Sequence, residues 1–396
     1  MSGERFGHLP GQRVVQAPAF VDAGQLAQLR FRVAVQLLAL LSQIGPFGIF
    51  RGLHHPGIAP GCALTIGNFD GVHRGHQAML ALLQNEARHR GVPSCVMTFE
   101  PHPRDWFAAA TGRSSLAPAR VSTLRDKLAE LACCGVSQTI VLPFNAALAA
   151  LAAQEFIEQV LVRGLGVCYV LVGDDFRFGA QRAGDYAMLD AAGARLGFDV
   201  ARMQSYEVHG ERVSSTAVRA ALAAGDMAAA AALLGRPWAI SGHVVHGRKL
   251  GRALAESAPG QLDGFRTLNL RFSRRAHAWR PAASGIFVVR VHGLARQALH
   301  GVANLGVRPS LDAGDVNGGR VLLETHVFDW LAHLGAEGGY GKIIRVELLS
   351  KLHDERRYHS LAALAEGIAQ DCADARAWLA SHAGSAIPGV APGGRI

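Results

Sequence analysis

Ala63-Leu-Thr-Ile-Gly-Asn-Phe-Asp-Gly-Val-His-Arg-Gly-His76 is the stretch of this 396-residue chain that decides its fold and chemistry. Residues 63–66 are apolar and strand-like, a glycine-rich turn follows, and a helical pattern starts near His76. A strand, a turn and a helix in this order place free backbone N–H groups and the positive helix end where a phosphate group binds. His73 and His76 are close enough to face one anion, to which imidazoles donate hydrogen bonds.

Two other interpretations of the histidine pair are a surface pair and half of a metal site. A zinc site needs further ligands at matching spacing, and the chain contains neither C-x-x-C nor H-E-x-x-H. The strand before the pair and the helix after it favour phosphate chemistry.

Composition limits the class of protein. A chain with 49% hydrophobic and 18% charged residues is folded, and 396 residues are enough for two domains. The net charge of +9 would suit a nucleic-acid binder, but no dense basic run occurs. Binding of polyphosphates explains the excess better, so we expect small-molecule substrates and no nucleic acid.

Neither a membrane span nor a disulfide framework is predicted. The apolar residues 33–49 are interrupted by Gln36, Ser42, Gln43 and Pro46, and no signal peptide is clear. The six cysteines lack framework spacing and lie mostly in apolar runs, which fits the cytoplasm.

Residues 50–235 alternate between strand and helix patterns. Strand-like runs lie at 63–66, 94–99, 139–142, 169–172 and 198–203, and helical patterns at 77–88, 124–134, 154–162 and 186–196. Alternation of this kind predicts parallel pairing in a doubly wound, Rossmann-like α/β sheet, with ligands at the carboxyl ends of the strands.

Residues 236–382 show a different pattern. Short β runs at 239–245, 267–272, 286–291, 301–305, 321–328 and 343–349 predict a small antiparallel barrel. A helix over 361–380 is expected to pack on it, and the Gly- and Pro-rich residues 383–396 are predicted to be disordered.

The opening stretch resembles the H-x-G-H signature of nucleotidylyltransferases, and its leader resembles the bacterial bifunctional riboflavin kinase/FMN adenylyltransferase (FAD synthetase) family. Three further segments are similar in the same order: Phe99-Glu-Pro-His-Pro103, Val172-Gly-Asp-Asp-Phe-Arg-Phe-Gly179 and Val213-Ser-Ser-Thr-Ala-Val-Arg219. The resemblance covers about residues 50–380 and implies an FMN adenylyltransferase domain followed by a riboflavin kinase domain. Residues 1–49 precede the family's usual start, so we predict a lineage-specific extension or a start-site artefact outside the fold.

The resemblance implies roles in attack of an FMN phosphate on the α-phosphorus of ATP, which forms FAD. His73 and His76 would hold the α-phosphate, within a turn shaped by Gly67, Asn68, Asp70 and Gly75, with Asn68 and Asp70 also near the metal. The polyphosphate would be bound by Ser214, Ser215, Thr216 and Arg219, although Ser-Ser-Thr before a helix is also an ordinary N-cap. The flavin would contact His102, Asp175 and Phe176.

The second half resembles riboflavin kinase in successive segments. Gly247, Gly251 and Arg252 form a basic loop suited to phosphate. The resemblance implies that Thr267 and Asn269 would be oxygen ligands for Mg²⁺ bound with ATP. Glu324 would be the general base for the riboflavin hydroxyl, and Arg357 would help to close the flavin site.

The kinase half departs from the family pattern at two points before the magnesium ligands. Arg266 replaces a proline, and residues 255–263 are an insertion beside the expected ATP phosphates. One alternative is therefore an FMN adenylyltransferase whose impaired kinase half only binds flavin. Another is a non-catalytic flavin- or RNA-binding regulator. We expect a monomer or a weak homo-oligomer.

Overall fold

The computed structural model describes residues 47–208, 210–246, 267–272, 279–307, 321–330, 334–335 and 338–383. Several sequence predictions lie outside these residues. They concern most of the N-terminal segment, the basic loop with Gly247, Gly251 and Arg252, the 255–263 insertion, Arg266 and the C-terminal tail.

The first half is a parallel sheet, as predicted. Its strands are β1 (Gly48–Arg51), β2 (Ala63–Ile66), β3 (Ser94–Glu100), β4 (Gln138–Pro143), β5 (Tyr169–Gly173) and β6 (Asp199–Met203), in the spatial order β1-β4-β3-β2-β5-β6. All adjacent pairs run parallel. The chain passes from β2 to β3 on one side, and β5 later joins β2 on the other. This reversal opens a crevice at the carboxyl end of β2.

Helices connect and cover these strands. They are α1 (Arg74–Arg90), α2 (Pro103–Ala110), α3 (Leu124–Cys133), α4 (Ala146–Ala150), α5 (Ala153–Glu155), α6 (Tyr186–Leu196), α7 (Ser215–Ala224) and α8 (Met227–Leu234). A π-helix, Phe156–Gly164, continues α5, and short 3₁₀ turns lie at Ser114–Leu116 and Ala180–Arg182. A small hairpin, β7 (Glu207–Val208) and β8 (Glu211–Arg212), precedes α7. Helix α1 begins three residues before the predicted start, which places His76 within its first turn.

Folded structure is described from Phe47, three residues before the predicted N-terminal boundary at residue 50. Phe47 is buried against Phe69, Leu80 and Val96, and β1 pairs with β4 from Gly48 onward. The sequence signal for β1 is weak because this strand has only four residues, one of them a glycine, and lies at the edge of the sheet.

The second half is the predicted antiparallel barrel. Strands β9 (Trp238–Val245), β10 (Thr267–Arg271), β11 (Gly285–His292), β12 (Leu299–Val307), β13 (Val321–Val327) and β14 (Ile343–His353) close in the order β10-β13-β12-β11-β14-β9. Alternate side chains such as Leu268, Phe287 and Leu305 fill its interior. Helix α9 (Leu361–Ser381) covers part of the outer face, where Cys372 and Ala375 pack against Val288 and Val302. None of the described helices is long and apolar enough to cross a membrane.

One hydrophobic cluster spans both halves. Val218 and Leu222 of α7 belong to the same buried cluster as the interior of the barrel. Trp238 of β9 donates its indole N–H to the carbonyl of Val121, over 2.7 Å. The barrel therefore packs directly on the elements that surround the end of β2.

Because Phe47 is buried, the Phe47→Ala variant should lower the free energy of unfolding by about 3 kcal/mol, the usual scale for truncating a core phenylalanine. Urea denaturation measures the change. Leu116, which is 66% exposed, provides the control, since Leu116→Ala should change stability by less than about 0.5 kcal/mol. Equal stability of the two variants would show that Phe47 does not pack in solution.

Candidate active site

A cavity of 860 Å³ opens at the carboxyl edge of the parallel sheet, where the strand order reverses. The residues predicted for adenylyl transfer come from four separate segments, and all of them line it. They are Gly67, Asn68, Asp70, His73, Gly75, His76, His102, Asp175, Phe176, Ser214, Ser215, Thr216 and Arg219. The parallel topology brings these segments together because each follows a strand or begins a helix at the same edge.

The turn after β2, residues 67–73, has an unusual backbone; we call it the histidine turn. Phe69 and Val72 have φ angles of 48° and 42°, in the left-handed region that non-glycine residues rarely adopt. Each such residue is destabilising by about 1–3 kcal/mol unless surrounding contacts fix it. Both side chains are buried, which accounts for the use of apolar residues at these positions.

Contacts from distant segments hold the carbonyl groups of the histidine turn. The Asn68 carbonyl accepts from Lys127 Nζ at 3.2 Å and from Thr98 Oγ1 at 3.3 Å. The Asp70 carbonyl accepts from Ser215 Oγ at 2.9 Å. Arg236 donates to the next two carbonyls, those of Gly71 and Val72, and Gln77 also donates to that of Val72. The turn is therefore fixed by tertiary contacts, and its φ angles are imposed from outside.

Asp70 connects the histidine turn to two other segments. Its buried carboxylate accepts from the backbone N–H groups of Val121 and Ser122 at 3.1 and 3.0 Å. It also pairs with Arg219 Nη1 at 3.2 Å. Because these donors occupy the carboxylate, Asp70 holds the histidine turn in place and has little capacity left to bind a metal ion directly.

The two histidines form a stacked pair with ring centroids 3.6 Å apart. His73 is the N-cap of α1, and its Nδ1 accepts from the His76 N–H at 3.3 Å. A neutral His73 ring therefore keeps its proton on Nε2. The Nδ1 atom of His76 is buried and has no hydrogen-bond partner among the described residues. A Cβ at Gly75 would come within 3.3 Å of the His73 ring and of the Val213 carbonyl, so only glycine fits there without displacement.

Burial keeps both imidazoles neutral. It lowers the pKa of His73 to about 3, with Arg236 and Arg219 contributing through their charges. Burial also holds the pKa of His76 well below its usual value, and His73 and Lys127 reinforce the effect. Both rings are therefore uncharged at pH 7. They are hydrogen-bond donors to a phosphate, and its negative charge must be balanced by arginine and by the positive ends of α1 and α7.

The hydroxyl groups at the start of α7 have structural partners. Ser214 is the N-cap and accepts from the Ala217 N–H at 3.1 Å, which is the capping role weighed from the sequence. Ser215 donates to the Asp70 carbonyl, and Thr216 Oγ1 accepts from Arg219 Nη2 at 3.2 Å. Ser214 and Thr216 still have hydroxyl protons to donate, while Ser215 uses its proton to fix the histidine turn.

An aromatic wall lines the cavity beside His102. His102 caps α2 through Nδ1, and burial together with the charge of Arg120 lowers its pKa to about 3. Phe107 is 50% exposed and meets Phe144 edge-on, with ring centroids 5.7 Å apart. Phe99 also meets Phe144 edge-on, with ring centroids 5.9 Å apart. An exposed ring held by other rings offers a face to a planar aromatic ligand.

Phe176 and Asp175 also line the cavity. Phe176 stacks on Phe178 with a centroid distance of 5.4 Å. Asp175 is exposed and lies 3.6 Å from Arg212. The neighbouring Asp174 binds Ser205 and Arg212 at 2.6 and 3.2 Å, so this acidic pair is anchored from the hairpin side.

The sequence prediction missed two buried cations behind the histidine turn. Lys127 is fully buried, and burial lowers its pKa to about 8. Arg120 is buried among the carboxylates of Asp105, Glu100 and Asp70, at 2.7, 3.7 and 3.8 Å. A signal for Lys127 existed, because it shares the apolar stripe of α3 with Leu131, four residues later.

Three of the predicted kinase residues, Thr267, Asn269 and Glu324, lie on the outer face of the barrel. Leu268 and Leu270 point into the core, so Thr267 and Asn269 face outward from β10. Asn269 is paired in register with Glu324, which is paired in turn with Asn304 of β12. The Oδ1 atom of Asn304 is buried without a partner among the described residues. Asn304 was missed, although a polar residue within an apolar strand was a usable signal.

Arg357 is exposed in the segment 354–360, which joins β14 to α9. A Cβ added to Gly306 would collide with the carboxylate of Glu355, so this segment crosses β12 close to the barrel surface. Gly306 lies two residues from Asn304 on the same strand face. Arg357 is therefore in a segment that borders the face carrying Glu324.

The side chains on this face suit a hard cation. Thr267, Asn269 and Asn304 offer hydroxyl and amide oxygens, and Glu324 offers a carboxylate, which are ligands that Mg²⁺ accepts. Among the described residues no group of three or more His, Cys, Asp or Glu side chains is arranged to hold a metal by itself. These residues therefore fit a cation that is held mainly by the phosphates of ATP and whose coordination is completed by one or two protein oxygens.

Stability should depend on pH through the buried histidines. The pKa of His102 is lowered from 6.5 to about 3 in the folded protein, so its contribution is complete above pH 6.5 and is lost as the pH falls towards 3. Since Asn is also a good N-cap, His102→Asn should reduce the stability lost between pH 7.5 and pH 5.5 by about 1.4 kcal/mol. Urea denaturation at both pH values measures this. His89→Asn, an exposed position on α1, is the control. If His102→Asn lost as much stability as the wild type between these two pH values, the result would contradict the expectation.

Comparison with known proteins identifies the two halves. The FAD synthetase family matches residues 55–217, and the riboflavin kinase family matches residues 234–379. A bifunctional riboflavin kinase/FMN adenylyltransferase of Escherichia coli K12 is 46% identical over 330 residues, covering 83% of this chain and 96% of that protein. The corresponding Pseudomonas fluorescens protein is 45% identical over 338 residues, covering 85% and 99%.

A solved structure also matches both halves. The crystal structure of a Streptococcus pneumoniae protein described as a macrolide-efflux protein superposes with a TM-score of 0.64 at 26% identity, covering 83% of this chain and 99% of that chain. The sequence relationships extend over nearly the whole length of the curated relatives. This chain therefore belongs to the family of bifunctional riboflavin kinase/FMN adenylyltransferases.

Proposed function

We propose that the cavity at the histidine turn adenylylates FMN and that the outer face of the barrel phosphorylates riboflavin. The chain is a bifunctional enzyme of FAD biosynthesis that uses ATP in both reactions. The observation that carries the assignment of the first site is the convergence of the stacked histidines, Arg219 and the start of α7 on one cavity. Chromatography of products from riboflavin, ATP and magnesium tests the whole proposal, which requires FMN and then FAD. The adenylyl-only alternative would form FAD only when FMN is supplied.

In adenylyl transfer, a phosphate oxygen of FMN attacks the α-phosphorus of ATP, and the bond to pyrophosphate breaks. No covalent intermediate is needed, so positioning and charge stabilisation supply the catalysis. The neutral imidazoles of His73 and His76 donate hydrogen bonds to the α-phosphate as its charge rises. Arg219 and the N–H groups at the start of α7 hold the departing pyrophosphate.

The aromatic wall provides the place for the flavin. Phe107 presents an exposed ring on the helix that His102 caps, and Phe176 lines the same cavity. An isoalloxazine ring that stacks on one of them directs its ribityl phosphate towards the histidine turn. Asp175, anchored near Arg212, offers an acceptor for polar groups of the flavin.

In phosphorylation, the 5′-hydroxyl of riboflavin attacks the γ-phosphorus of ATP, its proton passes to a base, and ADP leaves. Glu324 is the proposed base because it lies on the barrel face between Asn269 and Asn304. Arg357 borders this face and would close over the flavin. Thr267 and Asn269 would hold Mg²⁺, which neutralises charge on the ATP phosphates when bound.

We propose residues 47–235 and 236–382 as the two domains, since the family matches end and begin near this boundary. Cys62, Cys95, Cys168 and Cys372 are free thiols, which supports a reducing compartment such as the cytoplasm. A monomer or weak homo-oligomer remains the expectation for the quaternary structure, with riboflavin, FMN and ATP as partners.

His76→Ala should lower the rate of FAD formation by about 100-fold or more, the scale expected for losing a donor to the developing charge. FMN formation from riboflavin should persist because that site lies on the barrel. Coupled chromatography of both products measures the two rates. The control is His89→Ala on the exposed side of the same helix, which should match the wild type. Undiminished FAD formation in His76→Ala would remove His76 from the site.

Glu324→Gln retains the shape of the side chain and removes the base, so FMN formation should fall by about 100-fold or more. FAD formation from supplied FMN should stay near the wild-type rate. Glu366→Gln, at an exposed position of α9, is the matched control. Loss of both activities in a folded Glu324→Gln protein would argue against separate sites, and loss of neither would exclude Glu324 as the base.

A further inference from the structure

Arg236 reaches from the domain boundary into the back of the histidine turn. Its Nη2 donates to the Gly71 carbonyl, at 2.6 Å, and its Nη1 donates to the Val72 carbonyl, at 3.1 Å. The same Nη1 also contacts the Leu234 carbonyl at 3.0 Å. The side-chain amide of Gln77 also donates to the carbonyls of Val72 and Leu234, at 2.8 Å each. A planar guanidinium thus holds two consecutive carbonyl groups immediately before His73.

These contacts hold a strained part of the backbone. Val72 is β-branched and has a φ of 42°, a conformation that persists only when neighbouring groups determine it. His73 follows directly and orients His76 by capping α1 and stacking on its ring. A change in the peptide groups of Gly71 and Val72 would therefore move both imidazoles.

The position of Arg236 is fixed in turn by the barrel. Its Nε pairs with Glu130 Oε1 of α3 at 3.0 Å, and Arg345 Nη1 of β14 pairs with the same oxygen at 2.9 Å. The three side chains are only 15%, 13% and 9% exposed, so water screens their interactions weakly. Arg345 also lies 3.9 Å from the buried carboxylate of Glu347 on the same strand. The path Arg345–Glu130–Arg236 runs from a barrel strand to the histidine turn.

We propose that Arg236 is a positioning residue for adenylyl transfer, and that the barrel sets its position through Arg345 and Glu130. Arg236 lies inside the stretch that matches the riboflavin kinase family, residues 234–379, although its guanidinium serves the other site. The kinase domain then contributes to the geometry of FMN adenylylation without touching either substrate. This inference rests on the proposed assignment of adenylyl transfer to the histidine turn.

The test compares steady-state FAD formation from FMN and ATP in four full-length variants. Arg236→Gln removes the fork that holds both carbonyls, Arg236→Lys keeps the charge with a single ammonium group, and Arg345→Gln weakens the link to the barrel. Glu130 keeps one arginine partner in each case, so no variant leaves a buried carboxylate unpaired. Arg280→Gln is the matched control, because Arg280 also crosses to the first domain but contacts the Ala117 carbonyl instead.

Misplaced catalytic groups reduce turnover more than binding, so kcat for FAD formation should fall by about tenfold or more in Arg236→Gln, with KM for ATP and FMN within about threefold of wild type. Arg236→Lys should lie between Arg236→Gln and wild type. Arg345→Gln should lose about three- to tenfold in kcat. All variants should retain riboflavin kinase activity, and Arg280→Gln should retain both activities.

Wild-type kcat in Arg236→Gln, or raised KM with unchanged kcat, would overturn the positioning role. If Arg236→Gln does not fold, Arg345→Gln decides the question, since unchanged kcat there would overturn the link to the barrel. Failure of the proposed function can be told apart from failure of the positioning role of Arg236. In that case His76→Ala would leave FAD formation unchanged, whatever the effect of Arg236.

Discussion

One buried carboxylate, Asp70, fixes the arrangement on which the first active site depends. A carboxylate removed from water is strongly unfavourable unless donors surround it, and Asp70 obtains them from residues 121–122 and from Arg219. Those partners bring the start of α3 and the start of α7 to the end of β2. The histidine turn, which contains Asp70, is thereby joined to the helix whose N-terminus faces the phosphates.

Burial also determines the chemistry that the histidines can perform. Since desolvation keeps His73 and His76 neutral, they stabilise charge by hydrogen bonding, while Arg219 and the helix N-termini supply positive potential. Separating the hydrogen-bond donors from the positive charges has a physical advantage, because neutral donors bind a phosphate without a large penalty for burying charge. It also places Lys127, which supports the turn from behind, among the groups that keep the imidazoles unprotonated.

Helix α3 links the two halves because its faces serve different domains. Lys127 points to the histidine turn, while Asp126 accepts from the backbone N–H of Ser241 in β9 at 3.2 Å. Glu130, one turn later, lies between Arg236 and Arg345. Adjacent positions on a helix point in different directions, so a single short helix contacts both the adenylyl-transfer site and the barrel.

The sequence alone determined the doubly wound sheet and the barrel, because periodicity and strand-to-helix transitions are local signals. The resemblance to a known family, and not periodicity, implied most of the residues that line the first cavity. The sequence did not reveal the strand that begins at Gly48. It also did not reveal that Asp70, Ser215, Lys127 and Arg236 hold the histidine turn in place. Those features depend on contacts between residues more than 50 positions apart, such as Lys127 with Asn68 and Arg236 with Gly71. Only the tertiary structure decides such contacts, since a buried polar side chain takes its role from the donors and acceptors that folding brings to it.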